Sequence, residues 1–180
     1  MNYLLQGLAV FLGVIAGTVV TILTQLYLQK HAETQQTHNL KFEIALNSQK
    51  IDAWLDMLGR YRNAVNGDSL HTCYDYFDVS RIISVTASAM LQSGLLYKKL
   101  TDEQISLLLV FFSESTGQAE QVINSQFGNF RQEFERCRAE GDMTDWVKSV
   151  KPEAVSVVNF WEKKFQEHQR VLNQIVATLR

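Results

Sequence analysis

The chain has 180 residues, 46% of them hydrophobic, 20% charged and 11% aromatic, with a formal net charge of −2. That length suits one domain and an appendage rather than two full domains, and the near-balanced charge excludes the strongly basic surface that a sequence-independent grip on nucleic acid needs. One proline and nine glycines exclude a Pro/Gly-rich disordered chain or a turn-rich β protein, and two cysteines, Cys73 and Cys137, are too few for a disulfide framework or a four-ligand zinc site.

Residues 1–29 contain no Asp, Glu, Lys or Arg, so all charged side chains fall in the rest of the chain. From Tyr3 to Leu28 the sequence reads YLLQGLAVFLGVIAGTVVTILTQLYL. At about 1.5 Å per residue a helix of this length spans roughly 38 Å, enough for a hydrocarbon core of ~30 Å and part of each interface. Tyr3 and Tyr27 stand near its ends, where amphipathic rings favour the headgroup level. A cleaved signal peptide is the rival reading, with Val14-Ile15-Ala16 as its cleavage site. Against it, no Lys or Arg precedes the apolar run, and the run continues well past Ala16. The segment is therefore expected to be a single transmembrane helix over residues 1–29. Lys30 and Lys41 follow it and no side-chain cation precedes it, which places the N-terminus outside and residues 40–180 in the cytoplasm of a bacterium, across the inner membrane.

At 100° per residue, Gln6, Gly13, Gly17 and Thr24 project within about 40° of one another, flanked by Ala9 and Thr21. The opposite side carries Leu4, Leu8, Phe11, Ile15, Val19, Ile22 and Leu26. In lipid no hydrophobic force draws helices together. Association depends on close backbone approach, which small residues permit, and on interhelical hydrogen bonds, which Gln and Thr supply. Ala9, Gly13, Gly17 and Thr21, at a spacing of four, fit helix packing in a homo-oligomer. Gln6, Thr21 and Thr24 are candidates to line a pore; a closed bundle is equally compatible with the pattern.

Residues 30–39 are polar and free of Gly and Pro, and read as a helical stalk continuing the membrane helix, lifting the cytoplasmic part by roughly 16 Å. A disordered juxtamembrane linker is the alternative. Apolar positions return at Leu40, Ile44, Ile51, Trp54, Leu58, Tyr61 and Val65, with steps of three and four if Asn47 is counted in the seam. An Asn in such a seam can fix an oligomer's register, and simple surface exposure explains it as well. Asn66-Gly67-Asp68-Ser69 ends this helix.

A second helix is expected from about Tyr74 to Leu96, burying Phe77, Ile82, Val85, Ala89 and Leu91. Thr101-Asp102-Glu103-Gln104 is a capping-box start. It opens a long third helix through Ile105, Leu108, Phe112, Val122, Phe127, Phe130 and Phe134 to Gly141. Pro152 fits the first turn of a last helix carrying Val155, Val158, Trp161, Phe165, Val171, Leu172, Ile175 and Leu179. No alternating period suggests a sheet. The expected fold is all-α: one N-terminal transmembrane helix continuing into a cytoplasmic bundle of about four helices, residues 40–180.

Chemistry is sparse. His71, Cys73, Asp75 and Asp78 gather possible metal ligands, at a spacing that matches no zinc pattern. Cys137 lies between Arg136 and Arg138 without a nearby His and reads as a surface thiol. Asp52 and Asp56 read as solvated carboxylates. No GxxxxGK[ST], GxGxxG or GxSxG occurs. A non-catalytic protein without metal or cofactor is expected. Arg60/Arg62, Lys98-Lys99, Arg131/Arg136/Arg138 and Lys163-Lys164 read as solvated faces that could converge on an anionic nucleotide.

All-α bacterial HEPN ribonucleases carry an Arg-x4–6-His motif; here eight residues separate Arg62 from His71, and no other Arg precedes a His at the required distance. In layout the whole chain resembles the small membrane-anchored effectors and accessories of bacterial antiviral systems. Among them is the type VI-B CRISPR-associated pore-forming accessory, with an N-terminal membrane helix and a HEPN-like bundle lacking the usual catalytic residues. The resemblance implies a homo-oligomeric pore that depolarises the membrane, with Gly13 and Gly17 closing the helix contacts and Gln6, Thr21 and Thr24 facing the axis. The alternative class is a membrane-tethered sensor or adaptor whose bundle binds a nucleotide or a partner protein.

Overall fold

The computed structural model describes the backbone of residues 2–179, and side chains at residue 7 and over 11–179. Helix makes up 87% of the chain and no strand occurs among the described residues, in keeping with the absence of any alternating period. Six α-helices are present among the described residues: α1 (Asn2–Asn66), α2 (Val85–Gln92), α3 (Leu95–Lys99), α4 (Asp102–Glu114), α5 (Gly117–Glu140) and α6 (Lys151–Thr178). The chain divides into two compact units, Met1–Leu40 and Lys41–Arg180.

In the first unit the backbone is helical throughout the described residues, including the polar stretch 30–39. Its apolar side chains are uncovered, from Phe11 at 63% exposed to Leu28 at 58%. The polar stretch is stitched to its own helix: Thr34 donates to the Lys30 carbonyl and Thr37 to that of Glu33.

The second unit holds the core. The α1 positions Ile44, Ile51, Trp54, Leu58, Tyr61 and Val65 are all buried. Tyr61 packs its ring on Phe127 of α5 at 4.4 Å, and Phe127 packs on Phe77. Trp54 meets Phe165 of α6, and Phe134 of α5 meets Trp146 edge-on. Aromatic pairs of this kind add about 1 kcal/mol each beyond the area they bury. The capping box is formed in both directions: Gln104 N–H donates to Thr101 Oγ1 while the Gln104 side chain accepts from Thr101 N–H. Helix α1 ends at Asn66 with Ser69 N–H reaching back to the Ala64 carbonyl and Asp68 at φ +51°. Trp146 Nε1 and Lys151 Nζ both hold the Asp68 carboxylate, anchoring that left-handed residue and keeping its carboxyl below the usual range.

The expected second helix is not one helix. Residues 73–84 form an irregular strap, interrupted only by the 3-10 turn Val79–Arg81, and regular helix begins at Val85. Ser93 and Gly94, the latter at φ +74°, then separate α2 from α3. Phe77 is buried as expected, but Val85 is 76% exposed, Ala89 is exposed, and Ile82 and Leu91 are half-buried. Ala87 and Met90 face the core instead. The third helix is likewise two. Ser115 ends α4 and Thr116 caps α5 by accepting from Ala119 N–H. The break resets the helical phase, so Phe111 and Ile123 are buried while Phe112 is half-buried and Val122 exposed. These breaks turn the expected four helices into more, shorter ones. A five-residue π turn, Trp146–Val150, leads into α6, whose buried face is as expected except that Val155 is half-buried. His168 joins that face at 7% exposed.

Two further expectations change. Cys137 is buried at 1% exposed, because its place on α5 faces the core, so it is not a surface thiol. Asn47 is 0% exposed, and its amide is used within the chain, on Ile83.

Candidate functional site

Tyr3, Gln6 and Ala9 lie outside the residues whose side chains are described. Gly13 and Gly17 are exposed, and a Cβ added at either would meet no atom within 4 Å. Nothing in the unit therefore requires glycine at those positions for local packing. Thr21 Oγ1 donates to the Gly17 carbonyl at 2.8 Å, and Thr18 Oγ1 to that of Val14 at 2.9 Å. Each hydroxyl proton is thus used inside the helix, which lowers the cost of placing a threonine in an apolar medium. Thr24 is exposed. Tyr27 stacks on His31 at 6.4 Å and is 71% exposed. The span from Phe11 is long and apolar enough to cross a membrane by length and composition, with mean hydropathy 1.9 over its best window and none of that window buried.

In the second unit the strap is fastened by side chains. Asn124 of α5 exchanges hydrogen bonds with both the N–H and the carbonyl of Phe77, each at 2.9 Å. Glu120 accepts from Ser80 N–H, Ser80 Oγ and Tyr76 OH, donors that hold its carboxyl below the usual range. Lys50 donates to the Arg81 carbonyl, Trp54 Nε1 to Asp78 at 2.9 Å, and Arg131 to the Cys73 carbonyl at 3.1 Å. Glu43, 3% exposed, accepts from Thr86 and Ala87 N–H and so caps α2 from the side of α1. A strap without regular structure still has to satisfy its peptide groups, and here the helices supply the partners.

Several of the cationic groups are paired with neighbouring acids. Arg60 binds Asp75 through two nitrogens, Arg62 binds Glu162 and Asn159, and Arg136 binds Glu133 and Glu140. Lys164 lies 3.5 Å from Glu114 and over the Trp161 ring. In the suspected ligand run, His71 Nδ1 is buried without a hydrogen-bond partner among the described residues. Asp75 and Asp78 are held as above, and burial pushes the Cys73 thiol up. His71 stacks on Phe134. No group of three or more His, Cys, Asp or Glu positioned for a metal occurs among the described residues. Asp52 is exposed and accepts from Gln169.

One open groove, of about 560 Å3, lies where the end of α1 meets the start of the strap, edged by Arg60, Asn63, Ser69, Thr72, Tyr74 and Asp75. Comparison with known proteins finds no matching family model, no matching curated protein and no matching solved structure.

Sequence reasoning passed over Glu43, Glu120, Asn124 and His168. For Glu43 and Asn124 a polar residue sits one helical step from a buried position, and nothing local distinguishes a clamp from a solvated side chain. Only the partner 40 or so residues away makes it one.

Proposed function

We propose that this protein is a single-pass protein of a bacterial inner membrane, N-terminus outside, whose first helix self-associates into a homo-oligomer that depolarises the membrane in antiviral defence. The unit Lys41–Arg180 is its cytoplasmic, non-catalytic module. The observation that carries the reading is the uncovered apolar surface of α1. From Phe11 to Leu28 every Phe, Leu, Ile, Val and Tyr is at least 44% exposed. Single exposed apolar residues are ordinary, but an entire apolar helix without cover marks a lipid or protein contact. Gly13 and Gly17, free of any neighbouring atom, leave a notch where a second helix backbone can approach. The pairing of Arg60, Arg62, Arg136 and Lys164 with acids inside the second unit favours a structural module over one built around an anionic reactant.

Expression in a bacterial host carrying a membrane-potential dye tests the reading. Depolarisation by the full chain, lost in a chain lacking residues 1–29, supports it; an unchanged potential with the chain verified in the membrane fraction removes the pore. A second reading, a membrane-tethered sensor, is favoured by the groove at Arg60 and Tyr74. It requires a monomer or dimer in detergent, where the pore requires a closed ring of several copies.

A further inference from the structure

We propose that the groove between the end of α1 and the strap is a binding site for a mononucleotide, with the base stacked on Tyr74 and the phosphate beside Arg60. The proposal concerns the second unit alone and does not rest on the membrane reading.

Four observations carry it. The groove measures about 560 Å3, within the ~300–1,000 Å3 that small-molecule sites occupy. Tyr74 is 69% exposed, yet its ring is not loose: the Arg131 guanidinium lies 4.6 Å from the ring centroid, and Arg131 is itself tied to the Cys73 carbonyl. One ring face is therefore occupied by a cation while the residue remains open to solvent, the arrangement of a stacking platform. Hydrogen-bonding side chains line the groove beside the apolar Ala64 and Cys73. Thr72 Oγ1, Asn63 and Arg60 stand within it, and Arg60 spends Nε and Nη2 on Asp75, leaving Nη1 without a partner among the described residues. Two guanidinium groups, Arg60 in the groove and Arg131 over Tyr74, stand at this end, with Asp75 paired to Arg60 and Asp56 acting on it. A ligand that is flat at one end, hydrogen-bonding at its edges and anionic at the other matches all four. A simple anion would leave Tyr74 unexplained, and an uncharged aromatic would leave the unused Arg60 Nη1 unexplained. Asn124 and Arg131 fasten the strap from α5, so the platform is positioned before any ligand arrives.

The test is calorimetric titration of the full-length protein in detergent micelles with AMP, GMP, CMP and UMP, and with adenosine as the phosphate-free counterpart. Saturable binding of at least one nucleotide below about 1 mM is expected. Tyr74→Ala should weaken it roughly tenfold or more, whereas Tyr74→Phe, which keeps the ring, should hold it within about threefold. Tyr74 is exposed, so its removal opens no core void, and an unchanged helical circular dichroism spectrum verifies the fold. Backbone amides of residues 72–76 should gain hydrogen-exchange protection on nucleotide addition. No saturable heat with any of the four, equal affinity for the wild type and Tyr74→Ala, or adenosine binding as tightly as AMP overturns the proposal. None of these outcomes bears on membrane insertion or assembly, so the membrane reading stands or falls separately.

Discussion

Asn47 grips Ile83 through both of its peptide groups: Asn47 Nδ2 donates to the Ile83 carbonyl at 2.7 Å, and Ile83 N–H donates to Asn47 Oδ1 at 2.9 Å. A carboxamide carries the same donor and acceptor as a peptide unit, so a helix can offer an irregular chain what a neighbouring strand would. Asn124 repeats the device on Phe77 from α5. The strap between residues 73 and 84 is thus pinned between two helices by side chains that imitate backbone.

Replacing Asn47 by Leu keeps the number of side-chain heavy atoms and orphans the N–H and carbonyl of Ile83 beside a position that is itself 0% exposed. Each orphan costs about 1–3 kcal/mol, so the variant should lose about 2–6 kcal/mol. For a chain of this size that lowers the thermal midpoint by roughly 5–15 °C, followed by circular dichroism in detergent. A fall of under about 2 °C would mean that water reaches Ile83 and the clamp is dispensable.

Much of this architecture is written locally, and the strap shows where local writing stops. The buried faces of α1 and α6 follow the helical period, and the capping box at Thr101 is complete in four consecutive residues. Phe77, Ile82 and Val85 sit at intervals that suit a helix, yet only Phe77 is buried, because tertiary partners for the backbone outweigh the apolar spacing. The α4–α5 break was legible in principle. Ser115-Thr116-Gly117 is turn and N-cap chemistry, masked by the apolar runs on either side. The groove could not be read, since Arg60 and Tyr74 are separated by the end of α1 and meet only once the strap folds back on that helix. The apolar start of α1 is the opposite case: its lack of charge is a property of the sequence itself, and the structure adds that its described apolar side chains from Phe11 to Leu28 are uncovered.

Gly94 isolates a single backbone effect. It sits between α2 and α3 at φ +74°, and a Cβ there would meet no atom within 4 Å. Gly94→Ala therefore adds no clash, only the cost of holding an L-residue in the left-handed region, about 1–2 kcal/mol. The thermal midpoint should fall by about 2–8 °C. Gly128, which lies inside α5 with the same free space and an ordinary φ, should respond to Ala with no loss or a slight gain. Equal destabilisation by both changes would refute the conformational account.

His168 ties stability to pH. It is buried against Phe111, with Glu114 3.4 Å from Nε2 and Lys164 near by. Burial lowers its affinity for a proton; Glu114 opposes that and Lys164 reinforces it, and the balance is downward. A group whose folded value is depressed contributes stability that is complete above its unfolded value, about 6.5 for His, and is lost as pH falls through it towards the folded value. The urea midpoint of the wild type should therefore decline below about pH 6.5. His168→Gln, which cannot titrate, should show a shallower decline over the same interval. Parallel profiles for the two proteins would assign the acid sensitivity elsewhere.

The helix contact proposed for the membrane can be separated from mere anchoring by size at two positions. Gly13 and Gly17 are one turn apart on α1, both exposed, and neither is needed for φ or for local space. Leucine at both sites would leave the helix at least as apolar and as helical, so insertion should be unimpaired. What leucine removes is the notch, holding two backbones further apart and weakening the dispersion contacts on which helix association in lipid depends. The double variant should appear in the membrane fraction at wild-type abundance while its crosslinked or native-mass distribution shifts to monomer, and depolarisation should fall with it. Gly7→Leu, off the centre of the stripe by about 100°, serves as the size-matched control and should leave assembly unchanged. If the double variant assembles like the wild type, the copies meet elsewhere, and α1 is an anchor without a recognition face.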